Sequence, residues 1–132
     1  MDLIRRFSPD KLHYEYGLDG IRTFPWDGIA PPFGGGYCIV RPGDDTLAHV
    51  NSPADEDEMF IAIQGEAEVV LDGKSSRIKQ GDIVMIPRGM DHFIRNSTDT
   101  PFHFYTVWWS SEDVARYQAA EAARTAPALE TA

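Results

Sequence analysis

Two histidines and a glutamate, His49, Glu58 and His92, carry the chemistry of this sequence. Two imidazoles and one carboxylate make the ligand set of an open octahedral site for iron(II) or a similar divalent ion, with positions left for water, oxygen and substrate. His92 follows the Pro87-Arg88-Gly89 turn between two short apolar stretches, and His49 lies in a segment that runs from Gly43 through Asn51 to Glu58 and Gly65. The reading requires three side chains, far apart along the chain, to converge on one cation.

Strands must do this positioning. His49 and Asn51 are two apart and share one face of an extended segment. Glu58 opens the apolar strand Met59 to Ile63, with Phe60, Ala62 and Gln64 in its phase, so an inward Glu58 makes Phe60 a pocket wall. A barrel closed on itself would bring His92 opposite His49. Short runs with close turn signals predict strands at 36–41, 47–51, 58–63, 66–71, 75–79, 82–87, 91–95 and 102–109, the signature of an antiparallel sandwich or barrel. Asp72-Gly73 is the pair that closes a type I′ hairpin, because both central residues need positive φ. Runs such as Met59 to Ile63 and Ile83 to Ile86 are apolar on both faces, so one face lines the pocket and a second sheet or subunit covers the other; a homodimer is expected.

Residues 1–35 are interrupted by Pro and Gly and predict an arm with short edge strands at 13–16 and 21–26; His13 lies within it. Ser110 to Arg124 predict a helix opened by a Ser110/Asp113 capping box, and Thr125 to Ala132 a frayed tail. The chain is expected to be one domain: arm 1–35, barrel core 36–109, C-terminal helix 110–124 and tail 125–132.

Hydrophobic residues make up 42% of the chain and charged residues 25%, proportions of a soluble globular domain. The formal net charge of -9 speaks against a nucleic-acid surface, which needs clustered Lys and Arg, and favours small molecules or proteins as partners, a small-molecule substrate among them. No run approaches the length a bilayer crossing needs, and the N-terminus lacks the apolar core of a signal peptide; a cytoplasmic protein without membrane contact is expected. The single Cys38 cannot pair internally and reads as core filler. The acidic run Asp55, Glu56 and Asp57 predicts a solvated loop.

Both histidine segments resemble the two signature motifs of the cupin superfamily. The second motif reads Gly, five residues, Pro, one, Gly, two, His, three, Asn, and Gly81, Pro87, Gly89, His92 and Asn96 satisfy it throughout. The first reads Gly, five, His, one, His, three or four, Glu, six, Gly. Here Gly43, His49, Glu58 and Gly65 match, Asn51 stands at the second histidine, and the gap from Asn51 to Glu58 is longer. The resemblance spans residues 36–109 and implies an all-β fold, a double-stranded β-helix or jelly-roll barrel. It also implies one divalent metal ion per chain, iron, zinc, manganese or nickel, on His49, Glu58 and His92. Asn51 is then a weak ligand through its amide oxygen or the holder of a bound water. Glu56 restores the family spacing from Asn51, whereas Glu58 restores the spacing to Gly65 and begins a strand whose register the barrel sets; Glu58 is preferred.

Outside the motifs, His103 shares a phase with Tyr105, Val107 and Trp109 and is either a packing residue or a neighbour that orients ligands or substrate. Tyr105 joins Phe60 as an expected pocket residue. Arg41 and Arg88 flank the motifs as clamps for a substrate carboxylate or as surface ion pairs. The resemblance implies a metal-dependent enzyme for a small polar or aromatic metabolite. Its chemistry would be that of an oxygenase, like the ring-cleaving cupins, or of a Lewis-acid isomerase or lyase. Cupins of natural-product biosynthesis, including those that form N–N bonds, fall in the same class. The alternative is a non-catalytic small-molecule-binding or accessory cupin.

Overall fold

The computed structural model describes residues 2–52 and 55–131, the side chains of 126–131 excepted. After a 3-10 turn at Pro9–Lys11 come β1 (His13–Glu15), β2 (Leu18–Arg22), β3 (Gly34–Val40), β4 (Glu56–Gln64) and β5 (Glu66–Leu71). β6 (Lys74–Lys79), β7 (Ile83–Ile86), β8 (His92–Arg95), β9 (Phe102–Ser110) and the helix α1 (Ser111–Thr131) complete the order. Two antiparallel sheets result, one with strand order β1-β2-β3-β9-β4-β7 and one with β6-β5-β8. This is the expected all-β jelly-roll barrel with one C-terminal helix.

Period-two alternation decides what faces the interior. β4 buries Glu58, Phe60 and Ala62, β9 buries Phe102, Phe104 and Thr106, and β3 buries Cys38 and Val40. The apolar members pack with Ala67, Val69, Ile78 and Ile94 of the smaller sheet into one core. Each large side chain removed from water in this way contributes about 1.5–3 kcal/mol. On the opposite face of the larger sheet, Ile63, Ile83 and Met85 stay exposed.

Two turns show why glycine is required. Asp72 and Gly73 have φ 49° and 80°, the paired positive values of the expected hairpin. Gly65 turns β4 into β5 at φ 88°, and a Cβ there would lie 2.7 Å from the Pro101 carbonyl oxygen. Asn96, fully buried, ties the end of β8 to two neighbouring segments. Its amide nitrogen donates to the Val40 and Thr100 carbonyls at 3.0 and 2.8 Å, and its oxygen accepts from the Thr98 backbone at 3.0 Å.

Four sequence expectations are corrected in detail. The segment 47–51 is not a ladder strand: it touches β8 through isolated bridges at Asp45–Arg95 and His49–His92. Between them the Ile94 N–H donates to the Thr46 hydroxyl, and the Leu47 N–H donates to the Tyr16 carbonyl instead of to β8. In the arm, the second strand lies at Leu18–Arg22 rather than 21–26, paired with β3. The acidic run is not a free loop. Glu56 begins β4, Asp57 pairs with Arg88 at 2.9 Å, and Asp55 accepts from the Ser111 N–H at the start of α1. The capping box forms, with Ser110 and Asp113 exchanging bonds of 3.2 Å, but α1 continues past Arg124 to Thr131, so the frayed tail expected from Thr125 is helical there. Ala132 lies outside the described residues. Among those described, no helix is long and apolar enough to cross a membrane.

The two turn glycines separate backbone strain from collision. Gly73→Ala meets no atom within 4 Å and should cost about 1 kcal/mol for its positive φ alone. Gly65→Ala adds the clash with Pro101 and should cost at least about 2 kcal/mol. Urea midpoints at unchanged slope report both, and equal losses would refute the account of the Gly65 turn.

Candidate functional site

The His49–His92 bridge brings the two motif segments together. The His49 N–H donates to the His92 carbonyl at 3.2 Å, and the His92 N–H returns a bond of 3.0 Å to the His49 carbonyl. The imidazole centroids stand 4.6 Å apart. Each ring directs Nδ1 at the carbonyl two residues back, His49 at Leu47 (2.9 Å) and His92 at Met90 (3.0 Å). A carbonyl only accepts, so both Nδ1 atoms carry hydrogen and both Nε2 atoms face outward from these contacts.

Glu58 meets this pair from β4. Its Oε1 lies 3.3 Å from His92 Nε2, and its Oε2 accepts a short bond from the Thr106 hydroxyl on β9. His92 Nε2 is nevertheless buried without a hydrogen-bond partner, as is the Asn51 amide nitrogen. An unprotonated Nε2 would set its lone pair against a carboxylate oxygen, which is unfavourable in a buried place unless a proton or a cation lies between them. Burial opposes charge on both groups. Mutual contact outweighs it, so the His92 pKa is raised and that of Glu58, also bonded by Thr106, is lowered.

A cavity of about 860 Å³ opens over these groups, with His49, Asn51, Glu56, Glu58, Phe60, His92 and Thr106 in its wall. His49 is at the exposed rim, whereas Asn51, Glu58 and His92 are buried. As the side chains lie, no three His, Cys, Asp or Glu groups among the described residues meet at one point where they could hold an ion. The set fits a divalent cation in kind: two imidazoles with tethered Nδ1 atoms and one buried carboxylate. His92 and Glu58 are already opposed, while His49 stands beside them.

Four residues expected near the site lie elsewhere. Arg41 forms a two-point ion pair with Asp19 at 2.9 and 3.0 Å and stacks on Tyr14. Arg88 is engaged by Asp57 and by the Ser111 hydroxyl, joining the β7–β8 turn to the start of α1. Tyr105 and His103 occupy the outer face of β9, bonded to Thr23 and, at 2.7 Å, to the Tyr37 hydroxyl. β9 carries large side chains on both faces, so alternation alone does not say which row is inward. The inward row is Phe104, Thr106 and Trp108. Residues not anticipated in the cavity wall include Thr106, Trp108, Arg22, His13 and Tyr16. The signal for Thr106 and Trp108 was their shared phase with the apolar Phe102 and Phe104.

Glu56 lies two residues before Glu58 on the same face but titrates oppositely. Burial first, then the negative charges of Glu58, Asp113 and Asp55, push its pKa up to about 7. Cys38, also in the wall, is pushed up to about 12 by burial and then by the Glu58 charge.

A family model described as Cupin domain matches residues 36–108. The chain is 37% identical to the plu4264 protein from Photorhabdus luminescens, covering 91% of this chain and 98% of that one, with a TM-score of 0.81. A Cupin 2 conserved barrel domain protein from Salinispora arenicola CNS-205 is 34% identical over the same shares, with a TM-score of 0.79. Among curated relatives, phomopsin biosynthesis cluster protein C′ of Diaporthe leptostromiformis is 38% identical over 76 residues, 55% of this chain. The match spans 38% of that relative's length, so the chain covers well under two-thirds of it; the same share holds for a protein of Aquifex aeolicus.

The raised Glu56 pKa has a definite sign. The folded state binds this proton more tightly than the unfolded chain does, so stability is lost as pH rises from the ordinary carboxyl value of 4.5 through about 7. Glu56→Gln should therefore raise the melting temperature of chelator-treated protein at pH 8 and leave it unchanged at pH 4. The group is only partly buried, so solvent screening holds the gain to about 1 kcal/mol. A variant less stable than the parent at pH 8 would contradict this.

Proposed function

The chain belongs to the cupin family, and on that premise we propose a metal-dependent enzyme acting on a small polar or aromatic metabolite. His49, Glu58 and His92 are its ligands for one divalent ion. The observation that carries this reading is the buried Nε2 of His92, without a hydrogen bond and facing the Glu58 carboxylate at 3.3 Å. When bound, an iron, zinc, manganese or nickel ion would supply Lewis acidity or electron transfer to a molecule in the cavity.

The chain's own residues do the rest. Thr106 holds one Glu58 oxygen and leaves the other toward His92. Phe60 and Phe104, with ring centroids 4.8 Å apart, close the deep end of the cavity to water. Asn51, buried beside the site, orients a polar group or a water. Likeness to the phomopsin biosynthesis cluster protein supports a place in natural-product biosynthesis. A second reading, a non-catalytic module binding a small molecule, is favoured by one observation: the three ligands do not meet at a common point as they lie.

Metal content of protein purified without a metal-binding tag tests this. About one divalent ion per chain is expected, and His92→Ala or Glu58→Gln should weaken its retention at least about tenfold. Glu56→Gln should have little effect; the reverse ranking would move the carboxylate ligand to Glu56. A chain that takes up no metal supports the non-catalytic module.

We also propose that the protein is a homodimer formed through the outer face of the larger sheet, where Ile63, Ile83 and Met85 are exposed. Sedimentation should show a dimer for the parent and a monomer for Ile83→Lys. A parent that is monomeric at micromolar concentration would refute it.

A further inference from the structure

Beyond the metal-facing groups, the cavity wall contains, among the described residues, one Arg or Lys side chain in no ion pair, its charge felt at longer range by Glu56. Arg22, at the end of β2, lines the cavity, and its guanidinium lies 5.7 Å from the Trp108 ring centroid. The ion pairs of the described residues engage Arg41, Arg77, Arg88, Arg95, Arg116 and Arg124, not Arg22. Sheet register sets its place. Arg22 pairs with Gly36, Gly36 with Thr106, and Thr106 with Phe60, so these four positions form one row across the cavity floor. Gly36 has no side chain to stand between Arg22 and Thr106, and two strand spacings separate those residues by about 10 Å.

Trp108 occupies the next row, opposite Gly34 and beside Glu58. A Cβ at Gly34 would collide with the indole, so the glycine allows that ring to lie flat against the β3 backbone. The cavity therefore has an aromatic wall, Trp108, with the Arg22 guanidinium over the ring and Glu58 beside it on the neighbouring strand. The other Asp, Glu, Lys and Arg side chains of the wall are Glu15, Glu56 and Glu58, all acidic, so among these Arg22 is the one that attracts an anion.

We infer that Arg22 and Trp108 form a substrate subsite for a small planar carboxylate, an aryl or conjugated acid whose anion pairs with Arg22 while its ring lies along Trp108 toward Glu58 and His92. The inference deepens the small-metabolite reading of this cavity and rests on it. Arg22 is exposed in the free protein, so its pairing requires little desolvation, and the planar guanidinium suits two parallel bonds to a carboxylate.

Binding of benzoate and trans-cinnamate, with uncharged benzamide as the control, tests the subsite on full-length protein, both chelator-treated and zinc-loaded. Both acids should shift the indole N–H resonance assigned by Trp108→Phe. Arg22→Gln should weaken them by about tenfold while changing benzamide less than twofold, and Arg22→Lys should recover part of the loss. Arg22→Gln leaving acid affinity unchanged, absent binding of every acid to the parent, or shifts confined to the outer sheet face would each overturn the proposal. Acid binding that depends on zinc and Glu58 but not on Arg22 would place the carboxylate at the metal, sinking the subsite and sparing the metal reading. Arg22-dependent binding by a chain that retains no metal would do the opposite.

Discussion

The reciprocal backbone bonds between His49 and His92 are the contact on which the site depends. They join a segment that belongs to no regular strand to an edge of the smaller sheet, and so bring two distant stretches of chain into register. Because each imidazole then binds the carbonyl two residues behind it, both rings take the same tautomer from local backbone alone. No long side chain has to be ordered to achieve this, which keeps the entropic cost of the arrangement low.

Much of this was legible in the sequence where a residue type had a single physical use. Asp72-Gly73 could only be a tight turn, and Gly65 stands where any Cβ would strike a carbonyl. Glu58, Phe60 and Ala62 share a buried face because strand period is two and their intervening neighbours had to face outward. The reading stayed open where a residue had two uses. β9 offers bulky residues on both faces, and His103 and Tyr105 belong to the row that faces away from the cavity. Arg41 and Arg88 had acidic partners brought close only by folding. Arg22 lay in a region whose glycines and prolines concealed a five-residue strand.

Glu56 and Glu58 show how position within one strand separates like groups. Both face the cavity from the same side of β4. Glu58 has a hydroxyl donor and an imidazole, so its charged form is favoured despite deeper burial. Glu56 has chiefly burial and neighbouring negative charge, so it holds its proton near neutrality. Two carboxyls separated by one residue thus enter the cavity with different charge, which moderates the repulsion that three acids would otherwise exert on an anionic guest.

The lone thiol has a practical consequence. Cys38 keeps its proton far above neutral pH and is almost wholly enclosed, so the nucleophilic thiolate is essentially unpopulated under ordinary conditions. A cysteine introduced on the surface would react with maleimide or a spin label ahead of it. The natural background is silent, and probes for distance or orientation can be attached without first editing the barrel wall.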